Sequence, residues 1–432
     1  MAGAVLNPIN STLIAVALVP IGQSFGAGPG QTAWLISALY LATAVGQPVV
    51  GLLVDRYGAR RVLLGGAVLV IIAGIAGMIP LSVGWLTGVR VVLGLGTCAG
   101  FPAAMAVLRH HAEASGQGVP ARVLAVLSMS AQTVMVIGPT LGGLLIGLFG
   151  WPAIFAVNIP LAGLSLVLAL LWVPKDDRGE RTAKPIDLLG IALFSATLLA
   201  LLFFLMDPAE PWLLAVVVAF DVAFALVELR RDDPFLDLRM LAANRAILRT
   251  YLRQALSFMA IYAIMFGYVQ WLETTRQLSE EAAGLMLLPM SGTAVCAAAF
   301  SGRGSGIKAR LVTVAVALVG GSALLLLVHD GTWVGALLAL AALFGLAQGL
   351  TSVANQTTLY REAPAGQMGT ASGLFRTAQY LGAIVASTLI ALCYGPHADS
   401  AGLHRLAMAL IVISVVLLAV TIADRGLRAA KA

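Results

Sequence analysis

The chain has 432 residues, is 60% hydrophobic and only 11% charged, and its mean hydropathy is +0.95. A soluble domain carries about 25% charged residues, so an ordinary water-facing surface is excluded. Disulfide-built scaffolds, disordered tails, collagen and ordinary nucleic-acid binders are excluded with it.

Apolar runs of about twenty residues, the length needed to cross a hydrocarbon core as helix, recur from end to end. They fall at 5–22, 31–54, 62–80, 84–108, 122–149 and 152–173, then, after a polar break at 174–187, at 188–206 and 212–229. A second charged break, 230–247, precedes the last six, at 248–272, 282–300, 311–328, 333–353, 368–394 and 403–423. Backbone groups in lipid must bond internally, so these fourteen runs are expected to be helices. Met1 to Asn10 carries no basic residue and no cleavage motif, so the first run is expected to stay in the membrane. Cys98, Cys296 and Cys393 all fall inside apolar runs and read as packing residues, not as metal or disulfide chemistry.

Charge position tests the count. With the N-terminus in the cytoplasm, the loops after even-numbered spans and the C-terminal tail hold 22 of the 26 basic residues, and the outer loops hold only Arg276 and Arg405. This is the positive-inside bias. It places both termini in the cytoplasm and gives the net charge of +6 a topological cause, with no nucleic acid required. Arg outnumbers Lys 22 to 4 and Ala and Gly are abundant, a composition of GC-rich bacterial genomes, so the expected location is a bacterial cytoplasmic membrane.

The first and last six spans echo each other. Thr43-Ala44-Val45 recurs as Thr293-Ala294-Val295, Ala59-Arg60 as Ala309-Arg310, and Ser130-Ala131-Gln132 is answered by Thr377-Ala378-Gln379, at offsets of 250, 250 and 247. The expected organisation is an N-terminal six-helix bundle at 1–173, a linker with two inserted transmembrane helices at 174–247, and a C-terminal six-helix bundle at 248–432. Two repeated bundles sharing a mid-membrane site are the logic of a carrier that exposes the site to each side in turn.

The segment Gly51-Leu52-Leu53-Val54-Asp55-Arg56-Tyr57-Gly58-Ala59-Arg60-Arg61 resembles the loop between helices 2 and 3 of the major facilitator superfamily. The resemblance implies that Asp55 accepts hydrogen bonds from the end of a helix of the other half. Arg56, Arg60 and Arg61 would flank it on the cytoplasmic side, and Gly51 and Gly58 complete a latch of the outward-facing state. The matching loop of the second half carries Ser305 where Asp55 sits, so the latch is expected to be one-sided. Arg90, followed by Gly94 and Gly96, resembles the superfamily's Arg-x-x-x-Gly-x-Gly motif, which implies a link to proton transfer. Gly138-Pro139-Thr140-Leu141-Gly142-Gly143 resembles the antiporter motif, and its small-x-x-x-small spacings, Gly138/Gly142 and Gly143/Gly147, admit close helix packing. The stretch Asn10-Ser11-Thr12-Leu13-Ile14, together with Trp34, Tyr40 and the run from Trp151 to Pro160, resembles the fourteen-helix drug:proton antiporter family. The fold class implied is an all-α membrane protein of the major facilitator fold, with 14 transmembrane helices arranged 6+2+6. Many members of that family carry an Asp in helix 1 near the position of Asn10. An Asn cannot cycle a proton, so if a proton drives export, another acid must carry it.

Glu273, at the outer end of the ninth span and opposite helix 4 in the superfamily arrangement, is the first candidate for proton coupling, with Arg90 as modulator. Asp221, mid-span in the eighth, is the second. The polar and aromatic residues Asn10, Trp34, Tyr40, Gln132, Tyr268, Gln270, Trp271, Asn355, Gln356, Arg376 and Gln379 are expected to line a cavity for an amphipathic organic substrate. The five histidines lie at loops or span ends with no metal-ligand or triad spacing, so no enzyme, no metal and no cofactor is expected, the proton acting as coupling ion. A monomer in the lipid bilayer is the family expectation. The function expected is proton-coupled export of amphipathic compounds by alternating access. The alternative is a dedicated transporter, importing or exporting one metabolite or biosynthetic product.

Overall fold

The structure, a computed structural model, describes residues 2–14, 17–27, 29–115, 121–174, 187–206, 210–231, 234–278, 280–301, 306–364, 367–394, 398–424 and 426–428. The side chains of Gln132, Pro139 and Glu273 lie outside that description, as does Ser305.

Among the described residues there are helices and no strands. In chain order they are α1 (Ala2–Leu13), α2 (Leu18–Phe25), α3 (Pro29–Tyr57), α4 (Ala59–Gly77), α5 (Val83–Thr97), α6 (Gly100–Ser115), α7 (Ala121–Phe149), α8 (Ala153–Ala156) and α9 (Asn158–Trp172). The inserted pair is α10 (Leu188–Met206) and α11 (Pro211–Arg230), followed by the short α12 (Leu238–Ala243). Then come α13 (Arg245–Thr274), α14 (Glu280–Met286), α15 (Leu288–Phe300), α16 (Ile307–Leu325), α17 (Val334–Glu362), α18 (Met368–Tyr394) and α19 (Ser400–Ala423). Polar residues stop and start them. Ser82 accepts from the Trp85 amide at the head of α5, and Asn244 from Ile247 at the head of α13. Asp399 accepts from Gly402 at the head of α19. Each supplies an acceptor to a first-turn amide that has no partner inside its own helix.

Twelve segments among the described residues are long and apolar enough to cross a membrane, with α5 and α6 forming one of them. The other two expected spans fall on α1 with α2, of 12 and 8 residues, and on α7, of 29 residues.

By contacts the chain divides into two compact units. The first comprises Met1–Val119, Thr133–Ala243 and Ala363–Thr377, and the second Pro120–Gln132, Asn244–Glu362 and Ala378–Ala432. In the first unit, α5 packs on α1, α3 and α4, and α9 packs on α1 and α4; the α10–α11 hairpin leans on α3. In the second, α17 packs on α13, α15 and α16, and α19 packs on α13 and α16. The pairing is the same when α1, α3, α4, α5 and α9 are replaced by α13, α15, α16, α17 and α19, so the echo in the sequence is an echo in packing.

The repeated threonines show how. Thr43 donates to the Leu39 carbonyl at 2.6 Å and Thr293 to the Pro289 carbonyl at 2.7 Å, each one turn back. Both lie against a glycine of the crossing helix. At Gly94 of α5 a Cβ would sit 3.4 Å from Thr43 Oγ1, and at Gly345 of α17 it would collide with Thr293 Oγ1 and the Met290 carbonyl. Where both units need their helix backbones close, both use the same two residue types.

Candidate functional site

The first polar centre lies where α3 ends and α18 begins. The first amides of α18 have no acceptor within their own helix. Asp55, in the last turn of α3, supplies it: Oδ1 accepts from the Gly369 amide at 2.7 Å, and Oδ2 from the Thr370 amide at 2.7 Å and the Thr370 hydroxyl at 2.8 Å. A carboxylate from one helix thus caps another, at the positive end of that helix's dipole. The two helices can approach this closely because Gly51 faces Gly369; a Cβ on either would collide with the carbonyl oxygen of the other. The approach continues up α18, where Gly373 lies against the Gln47 carbonyl and Thr377 donates to the Ala44 carbonyl at 2.8 Å. Gly58 turns the chain from α3 into α4 with φ of 96°, a conformation that favours glycine. Of the flanking arginines, Arg60 donates to the Leu170 carbonyl at 2.8 Å, Arg56 is half-buried and Arg61 exposed. Arg109 donates to the Ala363 carbonyl at 2.8 Å, just before α18.

The second centre surrounds Arg90 on α5. Its side chain is only 2% exposed, so it does not snorkel to an interface. Nε donates to the Leu35 carbonyl at 3.0 Å and Nη1 to the Asn10 carbonyl at 3.1 Å. Tyr40, half-buried on α3, is within electrostatic reach of the guanidinium. Asn10 Nδ2 donates to Asn158 Oδ1 at 2.6 Å and to the Leu6 carbonyl at 2.7 Å. One turn earlier, Asn7 donates to Thr97 at 3.0 Å and Thr43 at 3.4 Å. The buried cation is therefore held by carbonyl dipoles, in a shell of neutral amides and hydroxyls. Asn10 contributes its backbone to Arg90 and its side chain to the shell.

In the second unit, four side chains form a hydrogen-bonded row across α17, α13 and α18. Asn355 donates to Gln254 at 3.1 Å, Gln254 to Gln379 at 3.2 Å, and Gln379 to the Tyr262 hydroxyl at 3.4 Å. Asn355 Oδ1 and the neighbouring Gln356 Oε1 are buried and have no hydrogen-bond partner among the described residues. Amides of this kind present both donors and acceptors to a bound organic molecule.

The other residues singled out in the sequence scatter. Tyr268 and Trp271 stack at 6.1 Å and are fully buried, spending their polar atoms on the Leu337 carbonyl at 3.3 Å and Ser400 at 3.1 Å. They are packing residues here rather than cavity walls. Gln270, between them, turns to the exposed side of α13. Trp34 is 37% exposed and touches Phe203 of the inserted α10, its ring 6.1 Å away. Arg376 is half-buried with its guanidinium 3.9 Å over the Phe101 ring. Asp221 is exposed midway along α11. Gly138 packs against Thr12 more tightly than a Cβ would permit and Gly142 is buried, but Gly143 and Gly147 have no other group within 4 Å. Among the described residues nothing packs closely at that second glycine pair, whose face of α7 is exposed. Pro139 and Gln132 are positions of α7 and Glu273 a position of α13, with side chains outside the described set. Sequence reasoning missed Gly369, Thr370, Gly373, Asn7 and Gln254. For α18 a signal exists in the small residues at 369, 373 and 377, one helical turn apart.

Residues 1–387 match the family described as the Major Facilitator Superfamily. The chain belongs to that superfamily. It is a multi-pass membrane transporter and not an enzyme. It is 33% identical, over 95% of its length and 92% of the relative's, to the uncharacterized MFS-type transporter YwoD of Bacillus subtilis. It is 28% identical, over 90% of its length and 73% of the relative's, to the tetracenomycin C resistance and export protein of Streptomyces glaucescens. The human organic anion transporter MFSD10 superposes with a TM-score of 0.71 at 17% identity, covering 97% of each chain, which is a likeness of fold.

Proposed function

We propose that this transporter exports amphipathic organic compounds, driven by inward movement of protons, by alternating access in a bacterial cytoplasmic membrane with both termini inside. We place it in the fourteen-helix drug:proton antiporter group. The observation that carries the reading is the Asp55 contact with the first turn of α18. It is a carboxylate that accepts from backbone amides and a hydroxyl at a helix end, strong enough to hold one conformation and exchangeable for water in another. The name of the Streptomyces relative supports export. The amide row from Asn355 to Tyr262 supplies groups that suit a substrate with polar and aromatic parts. Glu273 is the first candidate for the proton carrier, with Arg90 as modulator.

One observation favours a second reading, a dedicated carrier of one metabolite. Asn10, where an acid is usual, leaves the cation Arg90 held by carbonyls. Proteoliposomes with an imposed pH gradient separate the two. Dye or drug efflux that rises with the gradient and stops with a protonophore supports antiport, whereas transport indifferent to the gradient rejects it. Glu273→Gln that keeps full coupling removes that residue as carrier.

A further inference from the structure

The inserted hairpin carries a buried acid pair that the transport reading does not use. Asp187 caps α10 and Glu228 sits in the last turn of α11, each about 2% exposed. Two of their four oxygens have donors. Asp187 Oδ1 accepts from the Gly190 amide at 2.7 Å and from Arg231 Nη1 at 2.5 Å. Glu228 Oε2 accepts from the Leu236 amide at 2.7 Å. Asp187 Oδ2 and Glu228 Oε1 are buried, and neither has a donor among the described residues. Yet the two carboxyls are within hydrogen-bonding reach of each other. Both oxygens converge on Gly190, where a Cβ would collide with Glu228 Oε1 and come within 2.8 Å of Asp187 Oδ2.

Two acceptors cannot face each other in a buried site without something between them, and among the described residues the charges do not cancel. The pair brings two negative charges and Arg231 brings one positive charge. The other described charged groups nearby are otherwise occupied: Arg239 donates to the Leu229 carbonyl and Asp237 caps α12 at the Met240 amide. Two oxygens with a glycine against them suit a proton. A metal ion would need several more oxygen ligands. Asp187 has both Arg231 and the amide end of α10 to stabilise its charge, so the neutral partner is Glu228.

We propose that Asp187 and Glu228 share one proton, carried on Glu228 Oε1 and donated to Asp187 Oδ2, making the inserted helix pair a proton-binding element of the transporter. The site is tied to the helices of the Asp55 contact. Glu228 holds the Leu236 amide, and Leu236 and Phe235 pack with Phe194 and Phe224 of the hairpin, Val49 and Leu52 of α3, and Leu374 of α18. Loss of the proton sets two carboxylates against each other beneath that cluster and loosens the brace on α3 and α18.

Infrared spectra of the full-length protein in lipid at neutral pH test this without recourse to transport. The expected result is a protonated-carboxyl carbonyl band, shifted by deuterium oxide, that disappears in Glu228→Gln and also in Asp187→Asn. In the second variant the Asn amide donates to Glu228 in place of the shared proton and leaves it ionised beside Arg231. Glu228→Gln keeps an acceptor for Leu236 and should fold; if it does not, loss of the band in Asp187→Asn alone carries the result. No band difference in either variant overturns the proposal. A band that survives Asp187→Asn shows a lone neutral glutamic acid and overturns the sharing. A band present in choline buffer and lost in sodium buffer shows a metal-cation site instead and overturns the proton.

Discussion

Asp55 and Asp424 are both aspartates just beyond or within the last turn of a long helix, one in each unit, and they are held in opposite ways. Asp55 is half-buried and accepts from two backbone amides and a hydroxyl. Asp424 is 1% exposed and accepts from Arg253 Nη1 at 2.5 Å and Arg249 Nη1 at 3.2 Å. Arg253 is itself fully buried and donates to Thr250 at 2.6 Å, which donates in turn to Glu362 at 2.6 Å. Lys308 ties the same chain end through the Ile422 and Asp424 carbonyls, at 2.7 and 3.1 Å. Backbone amides at the exposed end of a helix can exchange a half-buried acceptor for water. A buried ion network cannot, because parting it leaves charges stranded. The first arrangement suits a contact that opens and closes, the second a joint that stays shut.

The largest expected effect therefore comes from the locked joint. Arg253→Met leaves Asp424 buried with the part-exposed Arg249 and the Gly426 amide as donors, and should cost roughly 3 kcal/mol of stability, read as a lowered midpoint of thermal unfolding in detergent. Adding Asp424→Leu should recover most of the loss, since the stranded charge goes. An unchanged midpoint in the single variant would mean that the network does not lock the tail.

Asp55→Asn is the counterpart. The Asn oxygen can accept one α18 amide, but its NH2 group is turned on the other. The loss is about 2 kcal/mol, discounted from the value for charged hydrogen bonds because the site is half-exposed. The signature that separates the two sites is a mismatch. Transport in proteoliposomes should fall more than about tenfold, as 1.4 kcal/mol already corresponds to ten in an equilibrium, while the unfolding midpoint moves less than in Arg253→Met. Equal transport in wild type and variant would deny Asp55 a role in the cycle.

Gly51→Ala probes the same contact by volume instead of charge. The added methyl meets the Gly369 carbonyl, so α3 and α18 must part at a cost of about 1–2 kcal/mol. Gly143→Ala is its control: its Cβ enters open space, and the change should stay within about 0.5 kcal/mol. If the two variants transport alike, the closeness of α3 and α18 has no functional weight.

How much of this could be read from the sequence follows from whether the cause is local. Twelve of the fourteen span positions are legible, because lipid thickness and internal hydrogen bonding act on each run separately. The segment from Gly51 to Arg61 was legible as a motif, but its partner was not: Gly369 and Thr370 lie more than 300 residues on. Arg253 counted as one more cytoplasmic arginine, and only the fold brings Asp424 to it across 171 residues. Glu228 reads as the polar end of a span, in Glu228-Leu229-Arg230-Arg231. Nothing in that string says that Phe235 and Leu236 fold back to bury it against Asp187. The buried polar residues of this protein are made by tertiary contacts, and a pattern of local periods does not reach them.

The smallest expected effects test where the two units agree rather than differ. Thr43 and Thr293 occupy equivalent places, each bonded back to its own helix and pressed against a glycine of the next. Their second bonds differ. Thr43 accepts from Asn7 at 3.4 Å, a long contact that Asn7 supplements with Thr97, whereas the single Thr293 hydroxyl proton is shared between the Pro289 carbonyl and the Ala342 carbonyl of α17, at 2.8 Å. Valine keeps the shape and removes the hydroxyl in both. Thr293→Val should cost about 1 kcal/mol through the lost inter-helix bond, and Thr43→Val less, because Asn7 retains a partner. Measured as unfolding midpoints, the order Thr293 before Thr43 would show that the repeat preserves packing while each unit has chosen its own hydrogen bonds. The reverse order would mean that the Asn7 contact is the stronger of the two and that the polar shell beneath Arg90 depends on Thr43.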